Sequence, residues 1–154
     1  MEHLDAAFNT TRSNFAFIIN AADRNGACSY EWAPFDVRRR DGDADGLLVS
    51  TNHFLAPAGG LALQDTAGFK TELRRNGLLL LAEQHRGSMN VATMMAILDT
   101  PIDRGGATWP LGEPIQTVYQ VIATPGDLKL WVKVPGFQNW TAVDLGAIFR
   151  SAHL

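Results

Sequence analysis

The residue types best suited to chemistry occur together in the run STNHF (50–54), which follows the apolar stretch LLV (47–49). An asparagine side chain carries an NH₂ group, a donor that can stabilise an oxyanion in acyl transfer. An asparagine after an apolar run is also a common turn former. Residue types alone therefore leave two interpretations of Asn52 open: a strand that delivers polar groups to a site, or a loop that needs turn residues.

The other residues that could do chemistry point to structural roles. The one cysteine, Cys28, lies inside a predicted strand, and a catalytic thiol needs exposure and a lowered pKa. We therefore predict a buried structural cysteine. The four histidines lack the spacing of metal ligands. The sequence has neither a Gly-x-Ser-x-Gly elbow nor a glycine-rich phosphate loop, so we predict no metal and no cofactor.

Length and charge narrow the class of protein. A chain of 154 residues predicts a single domain over 1–154. The formal net charge of -3 gives no basic surplus for nucleic acid. The longest apolar run, 78–82, is too short to span a membrane, and the first residues show no signal-peptide pattern. We expect a protein that binds neither nucleic acid nor membrane and that is cytoplasmic, unless the sequence lacks the part that would direct it elsewhere.

The first half of the sequence predicts strands joined by turns. Residues 14–22 form a continuous apolar run, typical of a strand covered on both faces. The turn DRNG (23–26), in which Asn-Gly favours positive φ, joins it to a strand over 27–34 as a hairpin. Glu31 and Trp32 are expected at the surface near the end of that second strand. The segment 35–46 is expected to be a solvated excursion whose arginines are balanced by aspartates.

The next elements are predicted as a strand, two helices and a second hairpin. The strand covers 47–55 and is followed by a loop to residue 65. The first helix begins at an N-cap, Asp65 or Thr66, and runs to about His85. Its expected core face comprises Phe69, Leu73, Leu78, Leu80 and Leu81.

The second helix is expected over 91–99, with Ser88 or Asn90 as its N-cap. The second hairpin pairs 115–123 with 128–134 around a turn at 124–127. A short irregular segment and an edge element close the chain. Because hairpins join most of the strands, the sequence predicts an α+β fold with an antiparallel sheet and helices on one face.

The stretch LLVSTNHFL (47–55) resembles the strand-end motif of the linear amide C–N hydrolases, the group that includes penicillin acyltransferase-like peptidases. Three other stretches resemble the same family in the same order, namely NFAFIINAADRNGACSYEWAP, TELRRNGLLLLAE and TVYQVIATPGDLKLWVKVPG. The resemblance covers about residues 14–146. It implies that the chain is part of an αββα sandwich of the N-terminal nucleophile hydrolases.

The resemblance also implies roles for individual residues. In this family an N-terminal cysteine attacks the amide, and its own α-amino group acts as the base. By motif match Asn52 would donate to the oxyanion, and Arg74 would help hold the nucleophile region. Because Arg75 is adjacent, the motif leaves open which of the two arginines faces the site. His53 and Phe54 would line the substrate pocket. Trp109, in a Gly/Pro-rich loop, is either a wall of that pocket or an anchor for its loop.

The sequence departs from the family at the nucleophile. No cysteine precedes the first family-like strand, and Cys28 matches a strand interior. We therefore expect the C-terminal half of a linear amide hydrolase or acyltransferase acting on a small amide. The nucleophile would come from a missing N-terminal segment or a partner chain, and this chain alone would be inactive. The alternatives are a non-catalytic domain that binds a partner through an uncovered sheet face, or a truncated remnant of the fold.

Overall fold

A computed structural model describes residues 2–23, 25–56 and 68–151. Within these residues the chain forms four α-helices and two three-stranded antiparallel sheets, so the α+β class and the antiparallel pairing are confirmed. The strands form two sheets, whereas the sequence predicts one. The chain divides into two compact units, residues 1–76 and 77–154, and the single domain stays a prediction.

The first unit contains a helix and a sheet whose strands follow chain order. These elements are α1 (Glu2–Thr10), β1 (Phe17–Asp23), β2 (Gly26–Ala33) and β3 (Asp36–Asp41). The predicted first hairpin is confirmed, since Asp23 pairs with Gly26 across the turn. The Asp23 carboxylate accepts from the backbone N–H groups of Asn25 and Gly26 at 2.7 and 3.1 Å. Gly26 begins β2 and does not have the expected positive φ.

The strand buried on both faces is β2, whereas the sequence predicts this for 14–22. β1 is an edge strand without a fully buried residue, and Phe17 is 46% exposed. On one face of β2, the ring of Phe8 of α1 packs against Tyr30 and Trp32, with distances between ring centroids of 4.4 and 4.9 Å. The alternate residues of β2 face the segment 50–56. An apolar run does not reveal which strand of a sheet is central, because that depends on what packs on it.

The arginine run 38–40 belongs to the strand β3 and not to a loop, although Arg38 and Arg39 are exposed and pair with aspartates as predicted. Arg40 donates to the Glu31 carboxylate at 2.6 Å, and Glu31 is fully buried rather than at the surface. A carboxylate without solvent needs such a partner, because burial of an unpaired charge costs several kcal/mol, on the order of 3–5. The sequence shows charge balance within 38–45, but the partner of Arg40 lies in the neighbouring strand.

The helix α2 (Thr71–Glu83) contains the boundary between the two units. The N-caps predicted for it, Asp65 and Thr66, lie outside the described residues. Its predicted core face is wrong, since Leu73 is 56% and Leu80 is 67% exposed. Gly77 is buried instead, and a Cβ added there would lie 2.2 Å from the Gly105 carbonyl oxygen. The close approach of a loop backbone thus decides which side of α2 is covered.

The second unit contains the rest of the helices and strands, α3 (Val91–Asp99), β4 (Gln120–Thr124), β5 (Lys129–Val134), β6 (Gln138–Asp144) and α4 (Leu145–Ser151). Asn90 is the N-cap of α3, as predicted, and its side chain accepts from Thr93 N at 3.0 Å. The second hairpin is confirmed with a shorter first strand. The closing segment is the edge strand β6 and a helix, which is more regular than predicted.

None of the helices in the described part of the chain is long and apolar enough to cross a membrane.

Candidate functional site

The segment 50–54 lies across one face of the first sheet and is held there by side chains. Ser50 Oγ donates to Ser29 Oγ at 3.1 Å and accepts from Arg40 Nη2 at 2.8 Å. Phe54 is buried against Ala33, with Ile18 beside them. Ser29 and Ala33 lie on the same face of β2, so they hold the segment near both of its ends.

The segment 47–55 is not a β-strand, which corrects the sequence prediction. Side-chain carboxylates take the backbone N–H groups that a neighbouring strand would otherwise take. Asp43 Oδ1 accepts from Leu47 N at 2.9 Å, and the two oxygens of Glu31 accept from Leu55 N at 2.9 Å and Ala56 N at 2.7 Å. The apolar run LLV suggests a strand because the sequence does not show these hydrogen-bond partners.

Thr51 and His53, the neighbours of Asn52, are bonded to the first residue of α2. Thr51 Oγ1 donates to the Thr71 carbonyl oxygen at 3.0 Å and accepts from Thr71 Oγ1 at 2.8 Å. His53 Nδ1 lies 2.5 Å from Thr71 Oγ1 and 3.2 Å from Thr51 Oγ1. His53 and Thr71 are both buried. The backbone on either side of Asn52 is thereby connected to the start of the helix.

Asn52 itself is exposed, and its amide oxygen is bonded to Arg74. Arg74 Nη2 donates to Asn52 Oδ1 at 2.5 Å, while Arg74 Nε donates to the Phe69 carbonyl oxygen at 2.9 Å. A guanidinium can only donate, so the Asn52 atom that faces it is the oxygen. The NH₂ group is the remaining half of the amide, and no described residue accepts a hydrogen bond from it.

The predicted pair Asn52 and Arg74 is thus in direct contact. The side chain of Arg75, the open alternative, makes no hydrogen bond to a described residue, and its Nε is buried without an acceptor there. Phe54 packs in the core of the first unit, and His53 faces Thr71. Trp109 belongs to the second unit, where its backbone N–H donates to Thr117 Oγ1 at 2.9 Å. Substrate binding by His53, Phe54 and Trp109 stays a prediction.

Three residues that support the segment 50–56 were given no such role by the sequence. Glu31 and Arg40 form a buried ion pair beneath it. Thr71 forms hydrogen bonds with both neighbours of Asn52, Thr51 and His53. A signal for Glu31 exists in the sequence, because a lone carboxylate occurs in a strand of small and aromatic residues. Its partners lie 9 and 24 positions away, and no periodicity links them.

The single cysteine, Cys28, is fully buried in β2, as predicted. The described residues contain no group of three or more His, Cys, Asp or Glu side chains that could hold a metal ion.

The chain matches no protein-family model, and no curated protein matches it significantly. The resemblance to the linear amide hydrolases accordingly rests on the residues alone.

Proposed function

We propose that this chain supplies the oxyanion-stabilising part of a linear amide hydrolase or acyltransferase with the αββα fold of the N-terminal nucleophile hydrolases. The contact between Asn52 and Arg74 carries the proposal. It occupies the amide oxygen of Asn52 and leaves the NH₂ group available on an exposed side chain. An NH₂ group held in this way suits an oxygen that becomes negatively charged during reaction.

The reaction would be acyl transfer from an amide to a thiol. The thiol sulfur attacks the amide carbon while its proton passes to the α-amino group of the same cysteine. The carbonyl electron pair moves to the oxygen, where the Asn52 NH₂ group donates a hydrogen bond. Return of that pair expels the amine, which takes the proton, and leaves a thioester. Water or a second amine then releases the acyl group. In this scheme Arg74 acts by holding the Asn52 amide, a more direct role than holding the nucleophile region.

The nucleophile would be an N-terminal cysteine outside these 154 residues, in a partner chain or in a further segment of the same protein. Cys28 does not suit the role, because its thiol is fully buried within β2. The strand β1 supports a missing partner as well. It is an uncharged edge strand up to Asp23, with Phe17 exposed at its first position and Phe15 exposed just before it, whereas edges that face solvent usually carry charges.

A second candidate is a non-catalytic interaction domain, and one observation favours it. Leu73 and Leu80 of α2 are more than half exposed, as is Phe15. Exposed large apolar side chains of this kind mark surfaces that bind other proteins. The same residues would also be covered in a two-part hydrolase. Both candidates therefore bind a partner, and they differ only in whether the assembly catalyses acyl transfer.

Purification of the chain from its native cells, followed by intact mass spectrometry and assay against a panel of acyl amides, tests the proposal. We expect a companion chain or segment whose mature N-terminus is Cys, and turnover by the assembly. Asn52→Ala should lower kcat by about 10²–10³-fold without changing assembly. Asn139→Ala, at an exposed asparagine of β6, is the matched control. Turnover by the chain alone that survives Cys28→Ala would contradict the proposal.

A further inference from the structure

We infer that His53 carries a proton on Nδ1 and donates it to Thr71, and that this buried pair is what positions Asn52. The importance of Asn52 rests on the proposed function, but the positioning itself is a property of the chain. His53 thereby acquires a role other than pocket lining, and Thr71 becomes a positioning residue of the site.

The tautomer follows from a count of protons among three polar groups. Thr51 Oγ1 has one proton, and it goes to the Thr71 carbonyl oxygen at 3.0 Å. Thr71 Oγ1 also has one proton, and it goes to Thr51 Oγ1 at 2.8 Å. Neither hydroxyl has a proton left for the 2.5 Å contact between Thr71 Oγ1 and His53 Nδ1. That contact is a hydrogen bond only when Nδ1 carries the proton.

The opposite tautomer leaves the cluster with one proton too few. If Nδ1 were unprotonated, Thr71 Oγ1 would have to donate to it, and the one proton of Thr51 Oγ1 could serve either Thr71 Oγ1 at 2.8 Å or the Thr71 carbonyl oxygen at 3.0 Å. One of these two oxygen–oxygen contacts would then lack a proton. Such an arrangement of buried acceptors is costly. The Nδ1–H form satisfies all of these contacts.

The positioning follows from where these bonds fall along the chain. Thr51 and His53 are adjacent to Asn52 on either side, and both are bonded to Thr71. Arg74, the partner of the Asn52 oxygen, lies three residues after Thr71 on the same helix. The backbone around Asn52 and its side chain are therefore fixed by a single helical turn. Loss of the Thr71 hydroxyl would remove the bond to His53 and one of the two bonds to Thr51, and would leave Arg74 in place.

The first test is the nitrogen NMR spectrum of the full chain, with ¹⁵N-labelled histidine. For His53 we expect Nδ1 in the protonated range. Comparison with His53→Gln identifies its signals among those of the four histidines. A protonated Nε2 with an unprotonated Nδ1 would overturn the assignment of the tautomer.

The second test uses Thr71→Val, which keeps the shape of the side chain and removes the hydroxyl. We expect the side-chain NH₂ signals of Asn52 to shift and broaden, and Thr71→Ser to restore them. Thr141→Val, at an exposed threonine of β6, is the control. Unchanged Asn52 signals in Thr71→Val would overturn the positioning role. If Thr71→Val fails to fold, His53→Leu removes the same hydrogen bond from its other end, and unchanged Asn52 signals in that variant would overturn the positioning role.

Neither test requires turnover. A correct tautomer and a Thr71-dependent Asn52 signal, without any amide hydrolysis by an assembly, would remove the proposed function and leave the positioning intact. Hydrolysis that depends on Asn52 but not on the Thr71 hydroxyl would support the proposed function and overturn the positioning role of Thr71.

Discussion

Arg74 Nη2 donates to Asn52 Oδ1 at 2.5 Å, and this contact joins residues 22 positions apart in the sequence. Because arginine has no acceptor, the bond assigns the two ends of the Asn52 amide without ambiguity. The NH₂ group is thereby the end that Arg74 leaves unused. The resemblance selects these two residues separately, and the structure brings them together.

Replacement of Arg74 should release the Asn52 amide. In Arg74→Met we expect the Asn52 NH₂ signals in a ¹⁵N correlation spectrum to move to positions typical of a solvated amide. An active assembly should lose about 10–100-fold in kcat, since one oriented donor is worth about that much or more. Arg75→Met is the matched control, because the Arg75 side chain makes no hydrogen bond to Asn52. Equal effects of the two substitutions would contradict the specific role of Arg74.

The buried pair of Glu31 and Arg40 should be important for stability. Glu31→Ala removes a buried carboxylate and leaves the N–H groups of Leu55 and Ala56 without their acceptor. We expect the free energy of unfolding to fall by about 3 kcal/mol or more in urea titrations. Arg38→Ala breaks the exposed pair with Asp36 and should cost below about 1 kcal/mol. A loss at Glu31 as small as that at Arg38 would refute this account.

Gly77→Ala should destabilise the chain although alanine favours helices. The helical preference is worth about 1 kcal/mol in favour of alanine. The added Cβ would meet the Gly105 carbonyl oxygen at 2.2 Å, so backbone must move, and such overpacking costs about 1–3 kcal/mol. We expect a lower thermal midpoint, whereas Asn76→Ala, at the exposed preceding position, should be neutral or stabilising.

The exposed leucines of α2 should contribute little to the stability of the isolated chain. Leu80→Glu is expected to change the free energy of unfolding by less than about 1 kcal/mol, because Leu80 is largely in solvent. Ile97→Ala, at a buried position of α3, should cost about 2–5 kcal/mol. If Leu80→Glu weakens binding of a companion chain while Ile97→Ala acts on folding alone, the leucines belong to an interface.

The phenol of Tyr30 should make the chain sensitive to alkali. Burial raises the pKa of Tyr30, and its 2.7 Å hydrogen bond to the Asp5 carboxylate and the neighbouring Cys28 raise it further. The unfolded tyrosine loses its proton near pH 10, so the stabilisation is complete below about pH 10 and declines as the pH rises above it. Tyrosinate absorbance of the native chain minus that of Tyr30→Phe measures this titration. Release of the Tyr30 proton near pH 10 in the folded chain would contradict the prediction.

The sequence predicts those features that depend on neighbours along the chain. Both hairpins and the Asn90 cap are confirmed, because each is set by a few adjacent residues. Burial is predicted less well. The apolar run at 14–22 is an edge strand, and Leu80 is exposed, since each depends on what packs against it. Thr71 is part of the Thr-x-x-Arg pattern, yet its bonds to Thr51 and His53 depend on a distance that no local pattern encodes.

The hydrogen bonds of the Glu31 carboxylate also affect where the chain can accept inserted residues. By binding Leu55 and Ala56, 24 and 25 positions further on, it closes a loop without a covalent link. The entropy of closing a loop grows slowly with length, by about 0.6 kcal/mol for each doubling. Residues inserted at the exposed turn of 43–45 would therefore weaken this closure only slightly. Evolution can lengthen that turn while the geometry around Asn52 is retained.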